Sequence, residues 1–187
     1  MSSEVLERGA IAGLQVVVTG SSSGIGRAIA ERLLALGCTV HGFDRAPATL
    51  VAPLFHPSMV DLTDGTQTLA AAHALAHADA LVHAAGLLRV GPLGTLDHAA
   101  GELMWRVHVD AATLLADVLV PAMTERGRGR VVLVGSRVAQ GMPGRGQYAA
   151  TKAALAALAR SWAREVAPKG VTINVVSPAA TATAMLD

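Results

Sequence analysis

Tyr148 and Lys152 stand four residues apart in the segment GQYAATKAAL, a spacing that puts both side chains on one face of a helix. A phenol titrates near ~10 in water, too high for proton exchange at neutral pH. A neighbouring ammonium stabilises the phenolate and lowers that value, which makes the pair a candidate general acid–base. Such a phenol gives a proton to a carbonyl oxygen during reduction, or takes one from an alcohol during oxidation. Ser136 follows the apolar run RVVLVG, so a strand would carry its hydroxyl to the carboxyl edge of a sheet, where it can hydrogen-bond the same oxygen.

A second constellation lies near the start of the chain. Residues 19–26 read Thr-Gly-Ser-Ser-Ser-Gly-Ile-Gly between a β-branched run and a helical pattern. Gly20, Gly24 and Gly26 allow a sharp turn and close approach. With Ser22, Ser23 and Ile25 they form a loop at a helix N-terminus, whose N–H groups and dipole suit a pyrophosphate. The spacing is G-x-x-x-G-x-G rather than G-x-G-x-x-G, so the context of strand, loop and helix carries the assignment. Asp44 closes the next apolar run about 20 residues on, placed to accept hydrogen bonds from an adenosine ribose and to repel a 2′-phosphate. Arg45 follows it, but no basic residue lies within the loop, and NAD is expected over NADP.

The elements that must hold these groups alternate along the chain. Strands are expected over 14–19, 39–43, 58–60, 80–83, 130–135 and 171–176. Helices are expected over 24–36, 65–77, 97–124 (two, split around Gly101) and 147–167. Near-continuous apolar strands alternating with helices imply an α/β fold: a doubly wound parallel sheet with helices on both faces. A chain of 187 residues suits one domain, and no repeat or linker divides it.

Composition narrows the partners. The net charge of +1 gives no electrostatic case for nucleic acid or an anionic membrane. The single Cys38, in the apolar context LGCTV, excludes an internal disulfide and reads as a buried thiol. The first residues lack the basic start and apolar run of a signal peptide, and no stretch reads as approaching the ~20 apolar residues of a membrane span. A cytoplasmic protein is the expectation. His73 and His77 have i, i+4 spacing, but no Glu lies between them in an H-E-x-x-H pattern and no third ligand is evident, so no metal is expected. Trp105 and Trp162 are expected in the core or at a subunit contact.

In order along the chain, TGSSSGIG at 19–26, Asp61-Leu62, Ala84-Ala85-Gly86, Ser136, YAATK at 148–152 and NVVSP at 174–178 resemble the classical short-chain dehydrogenase/reductase family. The resemblance implies that Asp61 and Leu62 flank the adenine and that Ala84, Ala85 and Gly86 line the cofactor. It places Pro178, Thr181 and Thr183 near the nicotinamide, and Tyr148 and Lys152 on its ribose as well. The implied reaction moves a hydride between NAD(H) and a secondary alcohol or ketone, with Tyr148 exchanging the proton, Ser136 orienting the oxygen and Lys152 tuning Tyr148. A homo-oligomer, dimer or tetramer, is implied through the helix that carries ALAALARSWAREVA.

Several positions depart from the family pattern. Its Asn-Asn-Ala-Gly reads His83-Ala84-Ala85-Gly86 here, and His108 stands where the family has a catalytic asparagine that helps hold a proton-relaying water. Pro178-Ala179 replaces Pro-Gly. The family continues past the position of Asp187 through a substrate lid and a seventh strand, so the Rossmann-type domain over 1–187 is expected to be C-terminally incomplete. These departures leave an alternative, a catalytically impaired nucleotide-binding module of the same fold. The substrate is not identified; Arg89, Arg137 and Arg145 in the variable loops would either meet an anionic group or stand solvated.

Overall fold

The computed structural model describes residues 9–181. Six strands, β1 (Gln15–Thr19), β2 (Thr39–Asp44), β3 (Phe55–Met59), β4 (Ala80–His83), β5 (Gly129–Val134) and β6 (Val171–Val176), form one sheet in the order β3-β2-β1-β4-β5-β6. Every neighbouring pair is parallel. The helices are α1 (Gly24–Ala35), α2 (Gly65–Ala74), α3 (His98–Trp105), α4 (Ala111–Glu125) and α5 (Gly146–Val166). Strand order reverses between β1 and β4, whose last residues Thr19 and His83 are in register. That switch point opens a crevice beyond the carboxyl ends of the strands.

Alternation along β1 shows how the two layers form. Val17 faces Leu81, Leu115, Leu133 and Leu155 under α4 and α5. Val16 and Val18 face Ala30, Val40, Phe55 and Val82 under α1. Cys38 is buried in this second layer, its thiol directed at the Ile11 carbonyl 3.3 Å away.

Three expectations change. β3 begins at Phe55 and ends at Met59, not over 58–60. It is an edge strand that is largely exposed and carries Pro57, so it lacks the apolar run that marks central strands. The long helical stretch does not divide at Gly101. It runs on to Trp105 and loosens into a π-helical turn over Arg106–Asp110 before α4 begins. Gly101 serves packing: a Cβ there would meet the Gln147 amide nitrogen at 2.2 Å. The resulting run His98–Glu125 is 28 residues, and an 18-residue stretch of it has a mean hydropathy of 1.3, enough by length and composition for a membrane span, contrary to the sequence reading. Half of it is buried inside the protein, and Met104, Leu115, Leu119 and Met123 are fully enclosed, which is the pattern of a core helix. Trp162 packs against the core, whereas Trp105 is 44% exposed.

Candidate active site

The glycine loop sits at the switch point. Gly20 has φ +70°, and a Cβ on it would lie 2.9 Å from the Ala85 backbone. A Cβ on Gly26 would lie 2.2 Å from the Gly20 carbonyl oxygen. Loop, first turn of α1 and the shelf after β4 are therefore in contact with no room for side chains. Ser23 caps α1 without a side-chain hydrogen bond, and no acid occupies the first turn. The N–H groups at that end border the cleft with no cap on them, a cradle that fits a dinucleotide pyrophosphate.

Ser22 differs from its neighbours. Its N–H donates to the Asp44 carboxylate at 2.9 Å and its hydroxyl to the Ala46 carbonyl at 3.3 Å. It is buried and lines a small side pocket with Pro57 and Ser58 that adjoins the main cleft at Asp44 and Ala46. Its partner Asp44 also accepts the Ala46 N–H at 2.9 Å, and these two bonds fix the carboxylate at the cleft edge beside Arg45. Leu62 and Asp61 follow β3 on the same side. Asp61 accepts both the hydroxyl and the N–H of Thr63, which hold its carboxyl below the usual range.

From there a cleft of about 760 Å³ runs across Gly20, Ser23, Gly24, Ile25 and Gly26, past Ala84, Ala85 and Gly86, to Ser136, Tyr148, Lys152, Pro178 and Thr181. Thr183 lies outside the described residues. Ser136 follows β5 and begins a short 3₁₀ turn, its Oγ accepting the Val138 N–H at 3.1 Å. Tyr148 and Lys152 both project from the first turns of α5. Lys152 is 4% exposed, donates to the Val134 carbonyl at 2.9 Å, and is pushed down to about 8 by burial.

Burial pushes the Tyr148 phenol up, while the Ser136 hydroxyl beside it and the Arg145 guanidinium pull it down. Burial is the largest of these influences, so the phenol lies above its ordinary value, where the spacing from Lys152 predicts a lowered one. The Lys152 ammonium sits 5.8 Å from the Tyr148 ring centroid.

The two histidines are wired into the scaffold. Thr19 Oγ1 accepts the N–H groups of Ala84 and Ala85, so its own hydrogen goes to His83 Nδ1 at 3.0 Å. His83 must then carry its proton on Nε2. That atom faces the Val107 and His108 carbonyls of the π turn without a well-formed hydrogen bond. His108 Nε2 accepts the Leu87 N–H at 3.0 Å, so Nδ1 holds the proton and donates to Thr151 Oγ1 at 2.8 Å. Thr151 in turn donates to the Tyr148 carbonyl at 2.8 Å.

Both rings are fully buried. Burial and the nearby Lys152 push His83 down to about 3 and His108 to about 2. His108 therefore stands at the expected position but commits both nitrogens to protein partners, leaving none for a relay water. It ties the shelf after β4 to the helix that carries Tyr148 and Lys152. Sequence reasoning gave no role to Thr19 and Thr151 in these links, because their partners lie far away in the chain.

Residues 15–187 match the sequence pattern of the family described as short chain dehydrogenase. The chain is 32% identical over 173 residues to the 3-oxoacyl-acyl-carrier-protein reductase FabG of Escherichia coli, covering 87% of this chain and 71% of that one. A short-chain dehydrogenase from Streptomyces avermitilis superimposes with a TM-score of 0.88 at 35% identity, over 92% of this chain and 68% of that one. A second, from Burkholderia cenocepacia in complex with NADP, does so with a TM-score of 0.87 at 28% identity, over 94% and 76%.

Proposed function

The chain belongs to the short-chain dehydrogenase family, and from that premise we propose that it is an NAD-dependent oxidoreductase interconverting a secondary alcohol and a ketone. The observation that carries this reading is that Ser136, Tyr148 and Lys152 border the same cleft as the glycine cradle. A nicotinamide held there supplies the hydride acceptor or donor. The protein's part is proton handling and alignment. Tyr148 gives its phenolic proton to the substrate oxygen in reduction and takes it back in oxidation. Ser136 uses its lone pair on Val138 and keeps its hydroxyl hydrogen for that oxygen. Lys152, buried and still mostly protonated at neutral pH, keeps a positive charge beside the developing phenolate.

Support for NAD over NADP comes from the Asp44 carboxylate, fixed by two backbone N–H groups where a 2′-phosphate would stand. Arg45 and the NADP-bound relative favour the phosphorylated cofactor as the second reading. A titration with NADH and NADPH, read by nicotinamide fluorescence, separates them. Tighter NADH binding is expected. A preference for NADPH overturns the role given to Asp44, and binding of neither overturns the oxidoreductase reading. A homo-oligomer, dimer or tetramer, belongs to the same proposal and is checked by sedimentation.

A further inference from the structure

The cleft is electrostatically lopsided. Its acids are Asp44, the last residue of β2, and Asp61, just after β3. On the side of β5 and α5, its ionisable lining is Arg137, Arg145, Tyr148 and Lys152, with no carboxylate. Among the described residues no carboxylate pairs with Arg145 or Arg137.

Arg145 is also held in place. It is half-buried and sits one residue before α5, three before Tyr148. Its N–H donates to the Met142 carbonyl at 3.1 Å, and its carbonyl accepts the Ala149 N–H at 2.8 Å. The adjoining Gly144 carbonyl accepts the Gly91 N–H at 2.8 Å, which fastens the segment to the loop after β4. The guanidinium is near enough to the phenol to influence its titration. The same cleft is lined with apolar side chains, among them Leu87, Leu88, Leu103, Val138 and Met142. An apolar pocket with unpaired positive charge at one wall selects a molecule with a hydrocarbon body and an anionic end.

We propose that the substrate is an oxo acid or hydroxy acid whose carboxylate is bound by Arg145, with Arg137 as the outer contact. The guanidinium fork matches a carboxylate in two parallel hydrogen bonds, and each charge-assisted contact gains strength in a partly buried site. Arg145 acts here in binding, and the carbonyl or carbinol to be transformed lies further in, at Ser136 and Tyr148. This reading rests on the oxidoreductase proposal and specifies its substrate class.

The test uses the full chain saturated with its preferred nicotinamide cofactor. Short and medium-length 2-oxo and 3-oxo carboxylic acids are compared with their methyl esters, both by initial rate and by equilibrium binding. The acids are expected to exceed the esters by about 10- to 100-fold in kcat/KM and in affinity, the range of a hydrogen-bonded charge. In Arg145→Gln that ratio collapses toward unity through KM for the acids, and Arg145→Lys restores part of it. A purely electrostatic effect on Tyr148 would instead lower kcat for acid and ester alike and preserve the ratio, which overturns the proposal. Turnover of esters with no preference for acids also overturns it while leaving the oxidoreductase reading in place. Failure of the acids to bind the cofactor-saturated protein overturns it as well. Acid binding that depends on Arg145 without any turnover upholds the carboxylate site at Arg145 but overturns the oxidoreductase reading, and with it the acid's role as substrate.

Discussion

Lowering the pH from 7 to 5 should destabilise this protein by about 4 kcal/mol through two side chains alone, His83 and His108. Both are fully buried, and both are lowered from 6.5, to about 3 and about 2. A second proton on His83 would have to displace the Thr19 hydroxyl hydrogen, and one on His108 would oppose the Leu87 N–H. The folded state therefore stays unprotonated at these rings through the whole interval, while the unfolded chain takes up protons as pH falls through 6.5. Because the unfolded state binds more protons, stability falls with pH, beginning near 6.5 and continuing down to the folded values. For each ring the loss between pH 7 and 5 is about 2 kcal/mol, a large share of the roughly 5–15 kcal/mol that holds a domain together.

Other groups leave this window nearly clear. Asp61 and Asp64 are lowered from 3.8 and act below it. Lys152 is protonated in both states there. His41, lowered by burial and by His56 and His77, adds a contribution of the same sign, which makes variants necessary. Urea unfolding followed by Trp105 and Trp162 fluorescence at pH 7 and 5 gives the drop by linear extrapolation. The double variant His83→Asn/His108→Asn keeps donors and acceptors at both sites but cannot titrate. It should lose about 4 kcal/mol less over the interval than the parent. If parent and double variant fall by the same amount, to within about 1 kcal/mol, the assignment of these rings as buried and neutral is wrong.

Tyr148→Phe should lower kcat by about 10²–10⁴-fold while NADH affinity stays within a factor of a few, measured by steady-state rates and fluorescence titration. Gly26→Ala drives a methyl into the Gly20 carbonyl, 2.2 Å from its Cβ; cofactor binding should be lost and the urea midpoint should fall by the equivalent of about 1–3 kcal/mol. Asp44→Ala should narrow or reverse the ratio of NADH to NADPH affinity, and an unchanged ratio would show that the carboxylate does not set cofactor choice. Thr151→Val leaves the His108 Nδ1–H without its acceptor and should cost about 1–3 kcal/mol by denaturation.

What could be read from the residues in advance was whatever is contiguous. The loop at 19–26 and the Tyr148–Lys152 pair are local patterns whose geometry follows from one turn and one helix. The apolar central strands announce themselves for the same reason. β3 did not, because its pairing with β2 rather than its own apolarity makes it a strand. Gly101 looked like a break because the side chain that fills its missing Cβ, Gln147, belongs to another helix. Nothing in the sequence around Ser22 shows that its N–H is taken by a carboxylate at the end of β2. The tautomers of His83 and His108 depend on Thr19 and Thr151 in distant elements, and Arg145 showed its charge but not that no carboxylate among the described residues pairs with it.

The π turn at Arg106–Asp110 closes with the Ala111 N–H on the Arg106 carbonyl, one residue wider than an α-helical bond. One added residue advances a helix by about 100°, so α3 and α4 are two pieces of one rod set out of phase. In an unbroken helix Leu103 and Leu115, twelve residues apart, would stand about 120° apart, and the wide turn reduces this to about 20°, so the cleft-lining Leu103 and the core residue Leu115 fall on one side of the rod. Removing one residue from the turn would restore the regular ladder and leave α3 and α4 in nearly the same relative orientation, because the turn carries one residue more than an α-helical path between them needs. Length in this turn is therefore under looser constraint than the identity of His108, which is buried and hydrogen-bonded at both ring nitrogens: a deletion within the turn should be better tolerated than one within α3 or α4 proper, which would rotate one piece by about 100° against the other.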